Sequence, residues 1–183
     1  MSLIVGIDPG LNGAIALYSA VTRKIILVWE MPTLTLSKTK VRNSSKKTEI
    51  DWVAYCGILR EIKTTYPQLL MIERVHAMPA RRIDGKATQG ISSTFKFGET
   101  YGGQRELARH ILGCRTEPAE PAAWKRKMKV GTENGDIYRR AASMFPEAER
   151  FFRGPRGGIK DGNCEASLLA AYGHTILDAD RTF

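Results

Sequence analysis

Apolar and polar residues alternate with two different periods along the chain, and these periods predict its elements. Near the start, residues 3–8, 13–19 and 24–31 form short apolar runs rich in β-branched residues, and the pairs Pro9-Gly10 and Asn12-Gly13 separate the first two. Pairs of this kind favour tight turns between strands. The beginning of the chain therefore predicts a meander of three antiparallel strands.

Further along, helical periodicity replaces the strand pattern. Polar residues 32–48 predict a mobile loop, and residues 49–66 have apolar positions at the spacing of an amphipathic helix. Residues 68–73 then predict a buried strand that ends in an acid. The remaining predicted elements are a loop over 74–93, a helix over 94–112, a strand over 114–117, a helix over 121–128, a helix over 136–144, a loop over 153–158 and a helix over 161–177. This order predicts an α/β fold in one domain, residues 1–183, with helices on the faces of a mixed sheet.

Charge and cysteine content narrow the class of protein. The formal net charge is +9, which favours an anionic partner such as nucleic acid. No apolar run approaches the roughly 20 residues that span a bilayer. Cys56, Cys114 and Cys164 are isolated and odd in number, which excludes a CxxC metal pair and indicates a reducing compartment. We therefore expect a cytoplasmic protein.

Four acids stand where predicted elements begin or end. Asp8 ends the first strand, Glu73 ends the fourth, and Asp161 and Glu165 lie one turn apart at the start of the last helix. The first and fourth strands of this topology are parallel neighbours, so their ends bring the first two acids together, and the helix can add the others. Close carboxylates raise each other's pKa unless a divalent cation lies among them. The pattern predicts a Mg²⁺ site with all four acids as catalytic residues and metal ligands, in which two ions act on a phosphodiester.

Each acid also has a structural interpretation. Asp8 before Pro-Gly is typical of a turn residue, and Asp161 at a helix start is typical of an N-cap. Glu165 alone would be a solvated helix residue. Glu73 directly follows the apolar run LLMI, which is harder to explain structurally.

Four sequence blocks carry a family resemblance. They are VGIDPGLNGAIAL, IERVHAMP with the downstream QGISSTFKFGETYGG, PAAWKRKM, and KDGNCEASLLAAYG. In this order the blocks resemble the RuvC-type Holliday junction resolvases, most closely their phage and chloroplast-like branch. They reach from residue 3 to about residue 174.

The resemblance implies an RNase H-like fold with a mixed five-stranded sheet, a homodimer, and two Mg²⁺ per active site that Mn²⁺ can replace. It implies paired symmetric nicks in a four-way junction that leave 5′-phosphate ends, in a bacterial or phage-infected cell. Asp8 would bridge both metals beside Glu73, and Glu165 matches the family's final acid. Bacterial members carry an acid or His three residues before that acid, where this chain has Gly162. Asp161, four residues before it, shares its helix face and is predicted to be the fourth ligand.

Basic and aromatic side chains predict the DNA contacts. The predicted residues are Arg74, Arg81, Arg82, Lys86, Phe95, Lys96, Phe97, Lys125, Lys127, Lys129, Arg156 and Lys160. Phosphate contacts of the basic residues would give affinity that falls with salt. Of the two phenylalanines, one is expected to pack and the other to stack on DNA. The alternative for each charged residue is a solvated face without DNA contact. His76 lies three residues after Glu73, near the acids, but a structural or surface role is expected for it.

Two other functions remain open at this stage. The protein can be an RNase H-like nuclease that acts on other branched DNA or on RNA–DNA hybrids, or a junction-binding protein without catalysis. The GIDPG block also resembles the phosphate-binding region of sugar kinases and chaperone ATPases. Those enzymes need two such domains, for which 183 residues leave no room.

Overall fold

A computed structural model describes residues 2–36, 47–76, 82–83, 86–87 and 91–180. In chain order the elements are β1 (Leu3–Asp8), β2 (Ala14–Ser19), β3 (Lys24–Glu30), β4 (Thr33–Leu36), β5 (Lys47–Ile50), α1 (Trp52–Lys63), β6 (Leu69–Glu73), β7 (Arg82–Ile83), β8 (Lys86–Ala87), α2 (Ile91–Leu112), β9 (Arg115–Ala119), α3 (Pro121–Lys127), α4 (Asp136–Met144), a 3₁₀ turn (Pro146–Ala148), α5 (Glu149–Phe152) and α6 (Asp161–Asp180). Within this part of the chain, no helix is long and apolar enough to cross a membrane.

The central sheet has five strands in the order β3-β2-β1-β6-β9. β1 is antiparallel to β2 and parallel to β6, and β6 is parallel to β9. Every residue of β1 and β2 is buried, as expected for strands covered on both faces. The predicted α/β class, with three antiparallel strands followed by parallel strands, is confirmed.

Helices cover the two faces of the sheet, and alternate strand residues point to each. Ile4 of β1 belongs to the core that α3, α4 and α6 complete. Its neighbour Val5 belongs to the core that α1 and α2 complete. α6 lies especially close to β1, because a Cβ added at Gly6 would come within 2.2 Å of the backbone oxygen of Ala166. This close approach brings the start of α6 to the same sheet edge as the ends of β1 and β6.

The loop predicted over residues 32–48 is wrong in part. Residues 33–36 and 47–50 form the strands β4 and β5, which pair as an antiparallel hairpin, and residues 37–46 lie outside the described residues. The alternation Thr-Leu-Thr-Leu in β4 is a strand pattern, hidden by the Lys- and Ser-rich sequence around it. α1 begins at Trp52, later than predicted, because Asp51 Oδ1 caps it by accepting a hydrogen bond from Ala54 N at 3.0 Å.

Smaller differences concern the ends of elements. The segment predicted as a loop over 74–93 contains the two-residue strands β7 and β8, which pair with each other. α2 begins at Ile91, before the predicted start, and α6 continues to Asp180, beyond the predicted end. α4 has the predicted bounds.

Candidate metal centre

Three carboxylates converge at one edge of the sheet. The register of the parallel pair β1–β6 places Ile7 opposite Ile72, so Asp8 and Glu73 are the next residues on adjacent strands. Glu165 approaches them from the second turn of α6. One carboxylate oxygen from each of the three residues lies within 4.8 Å of the other two. These three acids therefore lie close together, as the sequence predicts.

Burial and neighbouring charges raise the pKa of two of the acids. The pKa of Asp8 is raised well above its usual value, chiefly by burial and then by the charges of Glu165 and Glu73, while Lys125 lowers it. Burial also raises the pKa of Glu73, and a hydrogen bond from Trp124 opposes that rise. A divalent cation among these oxygens would replace this repulsion with attraction. The donors are the hard oxygens that Mg²⁺ prefers, so the residues fit such an ion.

Two consecutive residues of α3 contact the acids. Trp124 is fully buried, and its Nε1 donates a hydrogen bond to Glu73 Oε1 at 2.9 Å. Lys125 Nζ donates to Glu165 Oε1 at 2.8 Å. Burial alone would lower the pKa of Lys125, but the hydrogen bond to Glu165 and the nearby acidic charges raise it. Lys125 was predicted from sequence as a phosphate contact, and the structure places its amine among the carboxylates instead.

Asp161 stands apart from the three converging acids. It is exposed at the first position of α6 and lines the same cavity of about 750 Å³ as Asp8 and Glu165. The neighbouring position 162 has no room for any side chain, because a Cβ there would lie 2.2 Å from the backbone oxygen of Asn12. The close contact between α6 and the loop after β1 therefore requires Gly162 and excludes an acid or His at that position.

A buried glutamine holds the loop that follows Asp8. Gln104 of α2 has no exposed surface, and its Oε1 accepts a hydrogen bond from the Gly10 backbone N–H at 3.1 Å. Its Nε2 donates to Met31 Sδ at 2.9 Å. The loop is thus fixed between α2 on one side and Gly162 of α6 on the other. Gln104 is not among the residues predicted from sequence, and the one sequence signal for it is a polar residue at a position of α2 that faces the core.

Several of the predicted DNA-contacting cations form ion pairs. Arg74 Nη1 lies 2.8 Å from Glu120 Oε1, and Lys160 pairs with Glu30. Lys96 Nζ lies 2.9 Å from Glu49 Oε1. Glu120 also contacts His76, whose Nε2 lies 2.7 Å from Glu120 Oε2. This contact agrees with a structural role for His76.

Of the other predicted cations, some are exposed and some lie outside the part of the chain that the structure describes. Lys127, Lys129 and Arg156 are exposed. Arg82 and Lys86 lie in β7 and β8, but their side chains fall outside the described part. Arg81 lies outside the described residues altogether.

Neither Phe95 nor Phe97 belongs to the core. Phe95 is 72% exposed and Phe97 is 40% exposed, so the expectation that one of them packs in the interior is wrong. Most of the neighbouring side chains between residues 93 and 100 are exposed as well. Phe97 instead lines the metal-centre cavity and lies against Gly10, whose added Cβ would be 3.7 Å from the ring.

Comparisons with known proteins identify the fold. No family model and no curated protein matches the chain. Among solved structures, it is similar to Thermus thermophilus RuvC in complex with a Holliday junction substrate, with a TM-score of 0.56 and 10% identity over 96% of both chains. It is also similar to another Thermus thermophilus RuvC structure, with a TM-score of 0.51 and 12% identity over 95% of this chain and 96% of the other. This similarity does not support the predicted phage and chloroplast-like branch, but it shows that the chain has the RNase H-like fold of RuvC.

Proposed function

We propose that this protein is a metal-dependent endonuclease that resolves four-way DNA junctions. The convergence of Asp8, Glu73 and Glu165 within 4.8 Å, in a chain with a net charge of +9, is the observation that carries the proposal. An acidic site in a basic protein suits a metal ion that acts on a polyanion. The fold similarity to a RuvC structure that holds a Holliday junction substrate supports this choice of DNA.

The three converging acids and Asp161 are the proposed catalytic residues and metal ligands, with two Mg²⁺ per site that Mn²⁺ can replace. When bound, such ions would supply Lewis-acid chemistry, activating the attacking water and stabilising the leaving 3′ oxygen. Glu73 is oriented for this role by the hydrogen bond from buried Trp124. Lys125 offsets part of the acidic charge through Glu165. Asp161 faces the same cavity and adds negative charge at its rim.

Exposed basic residues provide the proposed contacts with the DNA backbone. Lys127, Lys129 and Arg156 are exposed, and their contacts with phosphate would make junction binding fall steeply with salt. Arg74, Lys96 and Lys160, which are paired with acids, would have to exchange those partners for phosphate. We further propose a homodimer, because two opposed nicks with 5′-phosphate ends require two active sites.

Conservative variants of the acids test the site. Asp8→Asn and Glu73→Gln should each abolish Mg²⁺-dependent nicking of a synthetic four-way junction while junction binding persists. Glu147→Gln, which changes an exposed acid outside the cluster, is the matched control and should cut like the wild type. If the first two variants also cut like the wild type, the assignment of the metal centre is wrong.

A panel of substrates separates the proposal from its alternatives. The wild type should nick a four-way junction faster than a fork, an RNA–DNA hybrid or a linear duplex. Preferred cutting of the hybrid would instead identify an RNase H-like activity. Junction binding without cutting in Mg²⁺ or Mn²⁺ would identify a non-catalytic binding protein. Sedimentation with and without junction DNA tests the dimer, and a monomer in both conditions would contradict paired incision.

A further inference from the structure

A second cavity, which we call the aromatic cavity, adjoins the metal-centre cavity. It has a volume of about 560 Å³ and lies between the start of α1, the first half of α2 and the loop after β1. Gly10, Leu11 and Phe97 line both cavities. A chain that passes through the metal-centre cavity can therefore continue directly into the aromatic cavity.

Trp52 forms one wall of the aromatic cavity and is exposed but firmly held. Its surface is 38% exposed, which is high for a tryptophan in a structured helix. The indole lies on the backbone of α2, because a Cβ added at Gly103 would be 2.8 Å from Trp52 Cη2. Its edge-to-face contact with buried Tyr55, at 6.0 Å between ring centroids, fixes it further. A ring that is already ordered loses little entropy when a ligand stacks on it.

Phe97 lines the same cavity at the side nearer to the metal centre. Its ring lies against Gly10, two residues after Asp8. Both aromatic rings thus lie against glycines, which leave room for them. Polar groups complete the lining, among them Thr48, Thr100 and the ion pair Lys96–Glu49. The cavity therefore combines exposed ring surface with groups that can form hydrogen bonds.

We propose that the aromatic cavity binds an unpaired nucleobase of the branched DNA, from a nucleotide next to the phosphate that is cut. This proposal rests on the nuclease function proposed above. Continuity between the two cavities favours DNA, because a strand whose phosphate lies at the carboxylates carries its adjacent nucleotides past Leu11 and Phe97. Aromatic surfaces bind bases by stacking, largely independently of sequence, and the polar lining can contact base edges.

A cycle that combines a protein change with a DNA change tests this subsite. The protein carries Asp8→Asn to prevent cutting, and affinity is measured in Mg²⁺ for junctions with a single abasic site at each position flanking the cut. Trp52→Ala should weaken binding of the intact junction roughly tenfold, the typical effect of losing one stacking contact. At one position the abasic site should lower the junction affinity of the protein that keeps Trp52 by a similar factor. The same abasic site should not lower the affinity of the Trp52→Ala protein any further. Trp52→Phe should restore most of the affinity because it keeps a ring.

Phe95→Ala is the control, since Phe95 is an exposed aromatic residue of α2 that lies outside the cavity lining. The fold-loss of junction affinity caused by Phe95→Ala and the fold-loss caused by the abasic site should multiply. If the effects of Trp52→Ala and the abasic site also multiply at every position, the nucleobase subsite is refuted. A Trp52→Ala protein that changes its oligomeric state but not its junction affinity would refute it as well, and would assign the cavity to a contact between copies. Failure of the wild type to bind any branched DNA would refute the nuclease proposal itself, independently of this cycle.

Discussion

Asp8→Asn should stabilise the metal-free protein while it abolishes activity. Asp8 lies within 4.8 Å of the carboxylate oxygens of two other acids. Two unit charges at that separation repel by about 3 kcal/mol at an effective dielectric constant near 20. The attraction to Lys125 and partial protonation of the acids offset part of the combined repulsion. We therefore expect a net gain of about 1–3 kcal/mol in the free energy of unfolding, which for a chain of 183 residues raises Tm by about 2–4 °C per kcal/mol.

The gain should depend on pH in a defined direction. The pKa of Asp8 is raised in the folded protein, mainly by burial and then by Glu165 and Glu73. A carboxyl of this kind destabilises the folded state above its raised pKa, and the penalty disappears as pH falls below the unfolded value of about 4. The stability difference between Asp8→Asn and the wild type should therefore be full at alkaline pH and vanish near pH 4. Acids remote from Asp8 titrate alike in both proteins and cancel in the difference.

Unfolding in urea or by heat, in chelator and in Mg²⁺, measures the effect. In chelator at pH 8 the Asp8→Asn protein should be the more stable one. Mg²⁺ should stabilise the wild type much more than the variant, because a ligand that binds only the folded state stabilises it more the more tightly it binds. Glu147→Gln should behave like the wild type in both conditions. An Asp8→Asn protein that melts at or below the wild type in chelator, or that gains equally from Mg²⁺, would refute the electrostatic account.

Two further changes test the loop after β1. Gln104→Met should remove the acceptor of the partly buried Gly10 N–H and lower the free energy of unfolding by about 1 kcal/mol. It should also raise the Mg²⁺ concentration needed for half-maximal nicking. Tyr55→Phe removes a 2.9 Å hydrogen bond to the Gln104 backbone oxygen and should lower stability without changing the Mg²⁺ dependence; an equal shift in both would refute a specific role for the glutamine. Gly162→Ala should lower stability by about 1–3 kcal/mol through overpacking and slow nicking, and unchanged urea unfolding would show that α6 can move away from the loop.

The meeting of three acids was predictable because the sheet topology brings two of them together and the packing of α6 on the sheet adds the third. Asp8 and Glu73 end adjacent parallel strands. Because the register of the two strands is constant, their last residues also lie side by side. Glu165 follows because the buried face of α6 must rest on the same sheet. Asp161 shares that helix face but lies four residues earlier, about 6 Å along the axis. A shared face determines the direction of a side chain but not its distance from a site at one end of the helix.

The residues that support the acids could not be predicted in the same way. Trp124 and Lys125 lie 51 and 40 residues from their partners in sequence, and their contacts depend on how α3 turns after β9. A lysine beside other basic residues gives no sign that it points into an acidic cluster. Gln104 reaches Gly10 across 94 positions. Such contacts depend on the orientation of packed helices, which the hydrophobic pattern of a single chain leaves undetermined.

The packing around the acids favours a bound cation. The close approach of the Gly6 position to Ala166 and of Gly162 to Asn12 keeps α6 against β1 and its loop, so Glu165 cannot move away from Asp8 to relieve repulsion. The negative charge of the carboxylates must then be balanced by a positive charge within the site. Three ionised carboxylates and the ammonium of Lys125 leave two negative charges, which one divalent ion balances. A second ion needs additional negative charge, which Asp161 and the phosphate of bound DNA would supply, so full metal occupancy would require the substrate.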